Sequence, residues 1–219
     1  MTEIISGTDD LRTLFYFPCA VYQSMKPEFI PLASELSDEY LKKVGNKSNC
    51  DGLYPVDMSL GFQDDSRAEP LTDYIKKTAY GILSSQGFNM SYFNIRLHEL
   101  WCQEHHKYSN QEEHIHGFGN QITGFYFLDC PPGCSQAMIH DPRPAKKFAN
   151  MPEKNMAMAT YASQAISFVP QPGLFMFTNS WLPHSFTRNG SDKPFRFLHF
   201  NLSLMPARQV PIEPAGEIV

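Results

Sequence analysis

Two closely spaced histidines are the clearest chemical signal in this sequence. The segment Glu113-His114-Ile115-His116-Gly117 places two imidazoles two residues apart, and in a β-strand such side chains leave the same face. Neutral imidazole is a common ligand for first-row transition metals. The pair could therefore bind one metal ion, although an isolated H-x-H pair is more often structural.

A third histidine, His184, follows His116 at a distance of 184 − 116 = 68 residues. It comes after a predicted apolar strand and the turn at residues 179–183. Two ligands near one strand and a third near a distant strand would leave coordination positions open for substrate or oxygen. The three histidines together are a stronger indication of a metal site than the pair alone.

The predicted last strand carries a cation on an apolar face. Alternation places Arg196 with Leu198 and Phe200 on one face, whereas His199 lies on the other. A buried guanidinium needs an anionic partner, and this strand contains no acidic residue. A bidentate carboxylate ligand held near the metal would meet that need. The alternative is an ion pair with a protein carboxylate such as Glu99 or Glu113.

Two segments, HIHGFGNQITGFYFL and PGLFMFTNSWLPHSFTRNGSDKPFRFLHFNL, resemble the 2-oxoglutarate/Fe(II) oxygenase superfamily. The likeness is to its prolyl-4-hydroxylase-like branch and to related oxygenases often carried by phages, and it spans about half of the chain. The resemblance implies a double-stranded β-helix, which is a jelly-roll or cupin-like barrel with N-terminal helices on its major sheet. It also implies Fe(II) as the metal, with 2-oxoglutarate and O2 as co-substrates.

The order and spacing of these residues match the superfamily pattern. The resemblance makes His114 the first metal ligand, His184 the distal ligand and Arg196 the anchor for the distal carboxylate of 2-oxoglutarate. His116 stands where the superfamily has a carboxylate ligand. The implied activity is hydroxylation of a substrate coupled to decarboxylation of 2-oxoglutarate to succinate and CO2.

Two departures from the pattern leave alternatives open. With His116 as a ligand, the site would hold three neutral imidazoles and one more positive charge than the usual triad. A three-histidine, cupin-like dioxygenase that needs no 2-oxoglutarate therefore remains an alternative, as does a non-catalytic jelly-roll binding module. Phe127 replaces a polar residue that some relatives direct at the distal carboxylate. Thr123, on the same face, is the candidate for a supporting hydrogen bond.

Two further residues are candidates for contact with substrate. Trp181 lies in the turn before His184, and Arg143 follows a turn signal, Asp141-Pro142. Both lie in or near segments whose irregular pattern is typical of a lid or an active-site wall. The resemblance leaves a protein or peptide side chain, or a small molecule, open as substrate.

Helices and strands must position these residues. Apolar residues recur at helical spacing over 27–44 and 69–85. Runs rich in aromatic and β-branched residues predict strands at 14–22, 92–102, 121–128, 137–139, 164–169, 173–178 and 195–204. This order predicts an α+β, mainly β fold. We expect one domain over residues 1–219, with a strand and two supporting helices in 1–90. The jelly-roll core would span 91–205, with an irregular insert at 129–172.

Composition excludes several classes of protein. The chain has 219 residues, a net charge of −5 and no basic run, which disfavours binding to a nucleic-acid backbone. No apolar stretch is long enough to span a bilayer, and the first residues do not resemble a secretory signal. The five cysteines are scattered and odd in number, which is typical of free thiols. These features predict a cytoplasmic protein.

Overall fold

The computed structural model describes residues 14, 17–44, 54–148 and 151–207. The α-helices in these ranges are α1 (Ile30–Lys43) and α2 (Glu69–Ser85). The strands are β1 (Val21–Met25), β2 (Val56–Met58), β3 (Phe93–His105), β4 (Gln111–His114), β5 (Asn120–Asp129), β6 (Ala137–His140), β7 (Ala165–Phe168), β8 (Leu174–Asn179), β9 (His184–Phe186) and β10 (Phe195–Pro206).

Both predicted helices are present, because their apolar residues recur on one face. Helix α2 has the predicted bounds, begins with Glu69-Pro70 and buries Leu71, Ile75 and Ala79 at four-residue spacing. Helix α1 begins three residues later than predicted, since Pro27–Phe29 form a 3-10 turn before it. Each helix therefore presents one apolar face to the rest of the domain.

The strands form two antiparallel sheets. The larger sheet has the order β1-β8-β5-β10-β3-β2, and the smaller has the order β4-β9-β6-β7. Strand β10 lies between β5 and β3, with which it pairs along most of its length. Strand β10 thus lies inside the larger sheet, whereas His114 and His184 lie on β4 and β9 of the smaller sheet.

Two apolar clusters lie on opposite faces of the larger sheet. The first cluster joins the helices to the sheet and includes Leu36, Leu71, Ile75, Phe175, Phe177, Leu198, Phe200 and Leu202. The second cluster fills the space between the two sheets and includes Phe125, Phe127, Ala137, Ile139, Met176, Phe186, Phe195 and Phe197. The predicted alternation of β10 is thus observed: even-numbered apolar residues contact the helices, and odd-numbered ones face the smaller sheet.

The first strand differs from the prediction. Strand β1 begins at Val21 rather than at residue 14, and it pairs in register with β8. Pro18 precedes it, and Phe17 has a positive φ of 55°, a conformation that is incompatible with a regular strand. Residues 15 and 16, which the prediction included, lie outside the described residues. The first apolar residues of the predicted strand, Leu14 and Phe17, therefore precede β1 and are not part of it.

The cysteines in the described ranges are unpaired. Cys19, Cys102, Cys130 and Cys134 are free thiols, as predicted, whereas Cys50 lies outside those ranges. No helix within them is long and apolar enough to cross a bilayer.

The close approach of three strands at Gly124 yields a first testable prediction. A Cβ added to Gly124 in β5 would lie 2.5 Å from the carbonyl oxygen of Met176 and 2.5 Å from the Phe200 ring. Gly124→Ala should therefore lower the free energy of unfolding by about 1–3 kcal/mol, the usual cost of overpacking. Denaturant titration would measure this change.

Gly81 provides the matched control. It lies on an open face of α2, where an added Cβ has no neighbour within 4 Å, and Ala is the better helix former by about 1 kcal/mol. Gly81→Ala should leave stability unchanged or raise it. Equal stability of Gly124→Ala and the unmodified protein would contradict this prediction. It would mean that the neighbouring atoms of Met176 and Phe200 can move aside at little cost.

Candidate metal centre

Three histidines converge where β4 meets β9. His114 is the last residue of β4 and pairs across the sheet with His184, the first residue of β9. One ring nitrogen from each of His114, His116 and His184 lies within 4.8 Å of the others. The ring centroids are 4.5 Å apart for His114 and His184, and 5.1 Å apart for each of the other two pairs. The structure thus brings together the three histidines that the spacing had singled out.

His116 reaches this cluster from a loop and not from the strand. Strand β4 ends at His114, so strand alternation is not what places His116 beside it. Instead the backbone N–H of His116 donates to the carbonyl oxygen of Ser180 at 2.9 Å. Ser180 belongs to the turn that leads from β8 to His184. This bond fastens the loop to the segment that carries the distal histidine.

Backbone carbonyls orient two of the rings. Nδ1–H of His114 donates to the carbonyl oxygen of Glu112 at 2.8 Å, and Nδ1–H of His184 donates to that of Leu182 at 3.1 Å. A carbonyl only accepts, so each Nε2 carries the lone pair, as in metal-bound histidines oriented by a carbonyl. Nε2 of His184 is buried and has no hydrogen-bond partner. This orphaned acceptor and the all-imidazole donor set fit a first-row transition metal.

The environment keeps these imidazoles neutral. Burial, followed by repulsion from His114, lowers the pKa of His116 to about 4 and that of His184 to about 3. At neutral pH both side chains therefore offer a free lone pair. A metal ion would not have to displace a proton from either ring.

A fourth imidazole, His199, lies against the triad. Its Nε2 is 3.2 Å from Nε2 of His116, and its ring stacks on Trp101 with centroids 4.3 Å apart. It is almost fully buried, and burial lowers its pKa well below the usual value. Sequence reasoning placed His199 on the face opposite Arg196 but did not connect it with His116. The missing information was the position of the loop that follows β4.

A cavity of about 360 Å³ opens beside His116. Its lining residues are His98, Glu99, Ile115, His116, Gly117, Phe118, Asn120 and Asn201. Within it, Nδ2 of Asn201 donates to the Glu99 carboxylate at 2.7 Å. Apart from His116, none of these residues was a predicted site residue, because they come from β3, β5, β10 and the loop after β4, which meet only in the folded protein.

Arg196 lies on the face of the larger sheet that is opposite His199. Its guanidinium contacts Asp38 of α1 at 2.6 Å, Glu104 of β3 at 3.1 Å and Asp129 of β5 at 3.4 Å. Of the two partners that the sequence left open, the ion pair with protein carboxylates is observed, although with partners other than Glu99 and Glu113. As placed, Arg196 does not face the triad.

Aromatic side chains lie beside the triad: Phe195, Phe197 and Phe127 fill the space between the sheets. Among the described residues, no Lys or Arg lines the cavity beside His116. The donor set fits a metal ion, and the role of Arg196 as the anchor of the distal carboxylate stays a prediction.

The other predicted residues lie at different distances from this arrangement. Thr123 is fully buried on the inner face of β5, where it pairs with Thr178 of β8, and its hydroxyl lies 3.4 Å from the carbonyl oxygen of Phe200. Trp181 is half exposed in the turn before His184. Arg143 is exposed and makes a bidentate contact with Asp141. The predicted roles of Thr123, Trp181 and Arg143 stay predictions.

One protein family matches the chain. Residues 99–201, a little under half of the sequence, match a family described as "Putative 2OG-Fe(II) oxygenase". The matched segment contains the three histidines, Arg196 and the Glu99–Asn201 pair. No curated protein matches.

Solved structures share the fold at low sequence identity. A prolyl 4-hydroxylase from Pseudomonas putida has a TM-score of 0.55 and 8% identity, covering 84% of this chain and 92% of its own. AviO1 from Streptomyces viridochromogenes has a TM-score of 0.59 and 10% identity, covering 90% and 93%. A viral collagen prolyl hydroxylase from Paramecium bursaria Chlorella virus 1, solved with 2-oxoglutarate, has a TM-score of 0.52 and 12% identity, covering 83% and 94%. These similarities confirm the predicted double-stranded β-helix braced by helices.

The position of Arg196 yields a second prediction. Arg196→Met keeps the apolar stem but leaves the partly buried carboxylates of Glu104 and its neighbours without a cation. We expect unfolding to become easier by about 1–3 kcal/mol, less than for a fully buried pair because Asp38 and Asp129 are exposed. Fe(II) affinity, measured by anaerobic titration of the same variant, should be unchanged. A large loss of Fe(II) affinity with intact stability would contradict this placement.

Burial of His105 yields a third prediction, on pH. His105 is fully buried beside Phe197, and burial lowers its pKa to about 4, whereas in an unfolded chain it is near 6.5. Between these values only the unfolded chain takes up the proton, so this contribution to stability is complete above pH 6.5 and is lost as pH falls towards 4. Urea unfolding of the metal-free protein across this window should show the decline.

His105→Phe removes this titration and preserves a ring in the same apolar surroundings. Its unfolding free energy should fall less steeply with decreasing pH than that of the unmodified protein. The remaining decline would come from other buried histidines such as His199. Parallel pH profiles for the two proteins would show that His105 is already protonated, or is free to become so, in the folded state.

Proposed function

Because residues 99–201 belong to the 2OG-Fe(II) oxygenase family, we propose that this protein is a non-haem Fe(II) oxygenase whose metal is held by His114, His116 and His184. The family match confirms the predicted family and the enzyme class, an oxygenase, together with the cofactor set that the family implies: Fe(II), 2-oxoglutarate and O2. The observation that carries the proposal for this chain is the convergence of three imidazole nitrogens within 4.8 Å in the family's fold.

The chain's own residues have separable tasks in this proposal. When bound, Fe(II) and 2-oxoglutarate supply the oxidising chemistry: O2 is reduced, 2-oxoglutarate is oxidised to succinate and CO2, and a substrate C–H bond is hydroxylated. The carbonyls of Glu112 and Leu182 hold two rings with Nε2 directed into the cluster. The phenylalanines between the sheets keep water away from the buried side of the triad.

Substrate reaches this site from its open side. The cavity beside His116 is large enough for a side chain or a small molecule. Two structural neighbours are named as prolyl hydroxylases, which supports a protein or peptide side chain, with a small molecule as the other option. Trp181 and Arg143 remain proposed contacts on the substrate side.

One observation favours a second candidate function. No Lys or Arg lines the cavity beside His116 among the described residues, so a dicarboxylate bound in that cavity would have one end without a cation. A three-histidine dioxygenase that binds its organic substrate directly at the metal has no need for such a cation. Three neutral ligands also leave the full charge of the metal available to an anionic substrate group.

Anaerobic titration distinguishes the two functions. Fe(II) is added to metal-free protein, followed by 2-oxoglutarate, and the visible absorption is recorded. Chelation of the keto acid to Fe(II) should give a weak charge-transfer band, because an electron on the metal can be excited into the keto acid. Iron binding without that band would favour the three-histidine dioxygenase, and absence of iron binding would refute both.

Variants make this titration specific. His184→Ala should abolish iron binding, since it removes a buried ligand. His106→Ala is the comparison variant, because His106, Asp57 and Glu104 form the other group in the described residues that could hold a metal ion. It should retain iron binding, and loss of iron in this variant alone would contradict the assignment to the triad. Arg196→Met should retain the band. Loss of the band in Arg196→Met, with iron still bound, would restore Arg196 as the co-substrate anchor.

A further inference from the structure

We propose that Glu99 selects the substrate, and that the substrate carries a protonated amine or guanidinium on an aliphatic stem. This inference deepens the proposed function and rests on it. It assigns a specificity-determining role to a side chain on β3 that is not one of the candidate metal ligands.

The position of Glu99 carries the first step. Glu99 and His116 line the same cavity, whose volume is about 360 Å³. A group bound to Glu99 would therefore lie beside the candidate metal centre.

The second step is the hydrogen-bonding environment of the carboxylate. Asn201 is 1% exposed, and its Nδ2 donates to Glu99 at 2.7 Å, which fixes the carboxylate. The other amide atom of Asn201, Oδ1, is buried and has no hydrogen-bond partner. A carbonyl oxygen only accepts. The cavity wall thus offers a fixed carboxylate and an unused acceptor side by side, and both require a ligand that donates hydrogen bonds.

Charge gives the third step. Glu99 forms no ion pair with any Lys or Arg in the described part of the chain, and no such residue lines the cavity. An exposed carboxylate at neutral pH therefore faces the cavity uncompensated. A cationic group is attracted to this wall, and an anionic one is repelled.

The rest of the wall indicates what carries the charge. Ile115 and Phe118 line the same cavity and are largely exposed. An aliphatic stem would cover these apolar surfaces, and a cation near the Phe118 ring would gain a cation–π contact. A ligand with its ammonium at Glu99 and Asn201 would run its stem towards His116, which places C–H bonds at the centre that would oxidise them.

Matched probes test the charge. Protein loaded with Co(II), which is paramagnetic and binds imidazole ligands, is titrated with N-acetyl-lysine methylamide or with N-acetyl-norleucine methylamide. The two probes share a stem and differ in the terminal ammonium. Broadening of the probe's proton resonances reports binding near the metal. The lysine probe should bind about tenfold tighter, as expected for one charge-assisted hydrogen-bonded contact.

Two variants assign the effect to Glu99. Glu99→Gln keeps the size of the side chain and an acceptor for Asn201, and it should abolish the preference for the lysine probe. Glu35→Gln, on the exposed side of α1, makes the same change in net charge away from the cavity and should retain the preference. Binding of n-pentylammonium as tight as that of the lysine probe would indicate a free amine, and weaker binding would indicate a peptide side chain; either supports the proposed class.

Other results overturn the inference. Equal binding of the lysine and norleucine probes, tighter binding of N-acetyl-glutamate methylamide, or no broadening of any probe by bound Co(II) would each refute the role of Glu99. Failure of Co(II) to bind, or its retention in His184→Ala, would instead refute the metal site of the proposed function. The two failures are therefore distinguishable in one set of spectra.

Discussion

The alternation of β10 is the constraint on which the rest of the structure depends. Because this strand lies in the middle of the larger sheet, each of its side chains must face either the helices or the smaller sheet. One face carries Arg196, Leu198 and Phe200, and the other carries His199 and Asn201. A shift of one residue would bring the guanidinium inside and expose the imidazole to the helices, and both would be costly. The chemistry of the two faces is thus set by the pairing register.

The two faces of the larger sheet also differ in their charged groups. On the helix side, the guanidinium of Arg196 forms ion pairs with three carboxylates, from α1, β3 and β5. These ion pairs connect α1 to two strands of the larger sheet. On the inner side, desolvation keeps His184 and His199 uncharged. The carboxylate of Glu99 is the charge that remains at the cavity. Fold stability and recognition of a ligand therefore use separate sets of ions on opposite faces of one sheet.

Sequence periodicity predicted the features that depend on neighbouring residues. It identified both bounds of α2 and the alternation of β10, since each is visible within a single segment. The three histidines were singled out by their residue type and spacing and by the family resemblance. It did not predict the contact of Arg196 with Asp38, which is separated from it by 158 positions, or the bond between Asn201 and Glu99, separated by 102. Short strands such as β9 have too few residues to show a period. Contacts between side chains that meet only in the folded protein can be predicted only if the register of the paired strands is known.

Strand β4 lies at the edge of the smaller sheet and hydrogen-bonds only to β9 there. Its pairing is irregular between Gln111 and His114, so backbone bonds alone hold this edge weakly. A metal ion bound by both His114 and His184 would link β4 to β9. The loop that carries His116 and Phe118 would then be tethered at its start by coordination. Coordination would thereby add to the irregular backbone pairing that holds this edge of the smaller sheet.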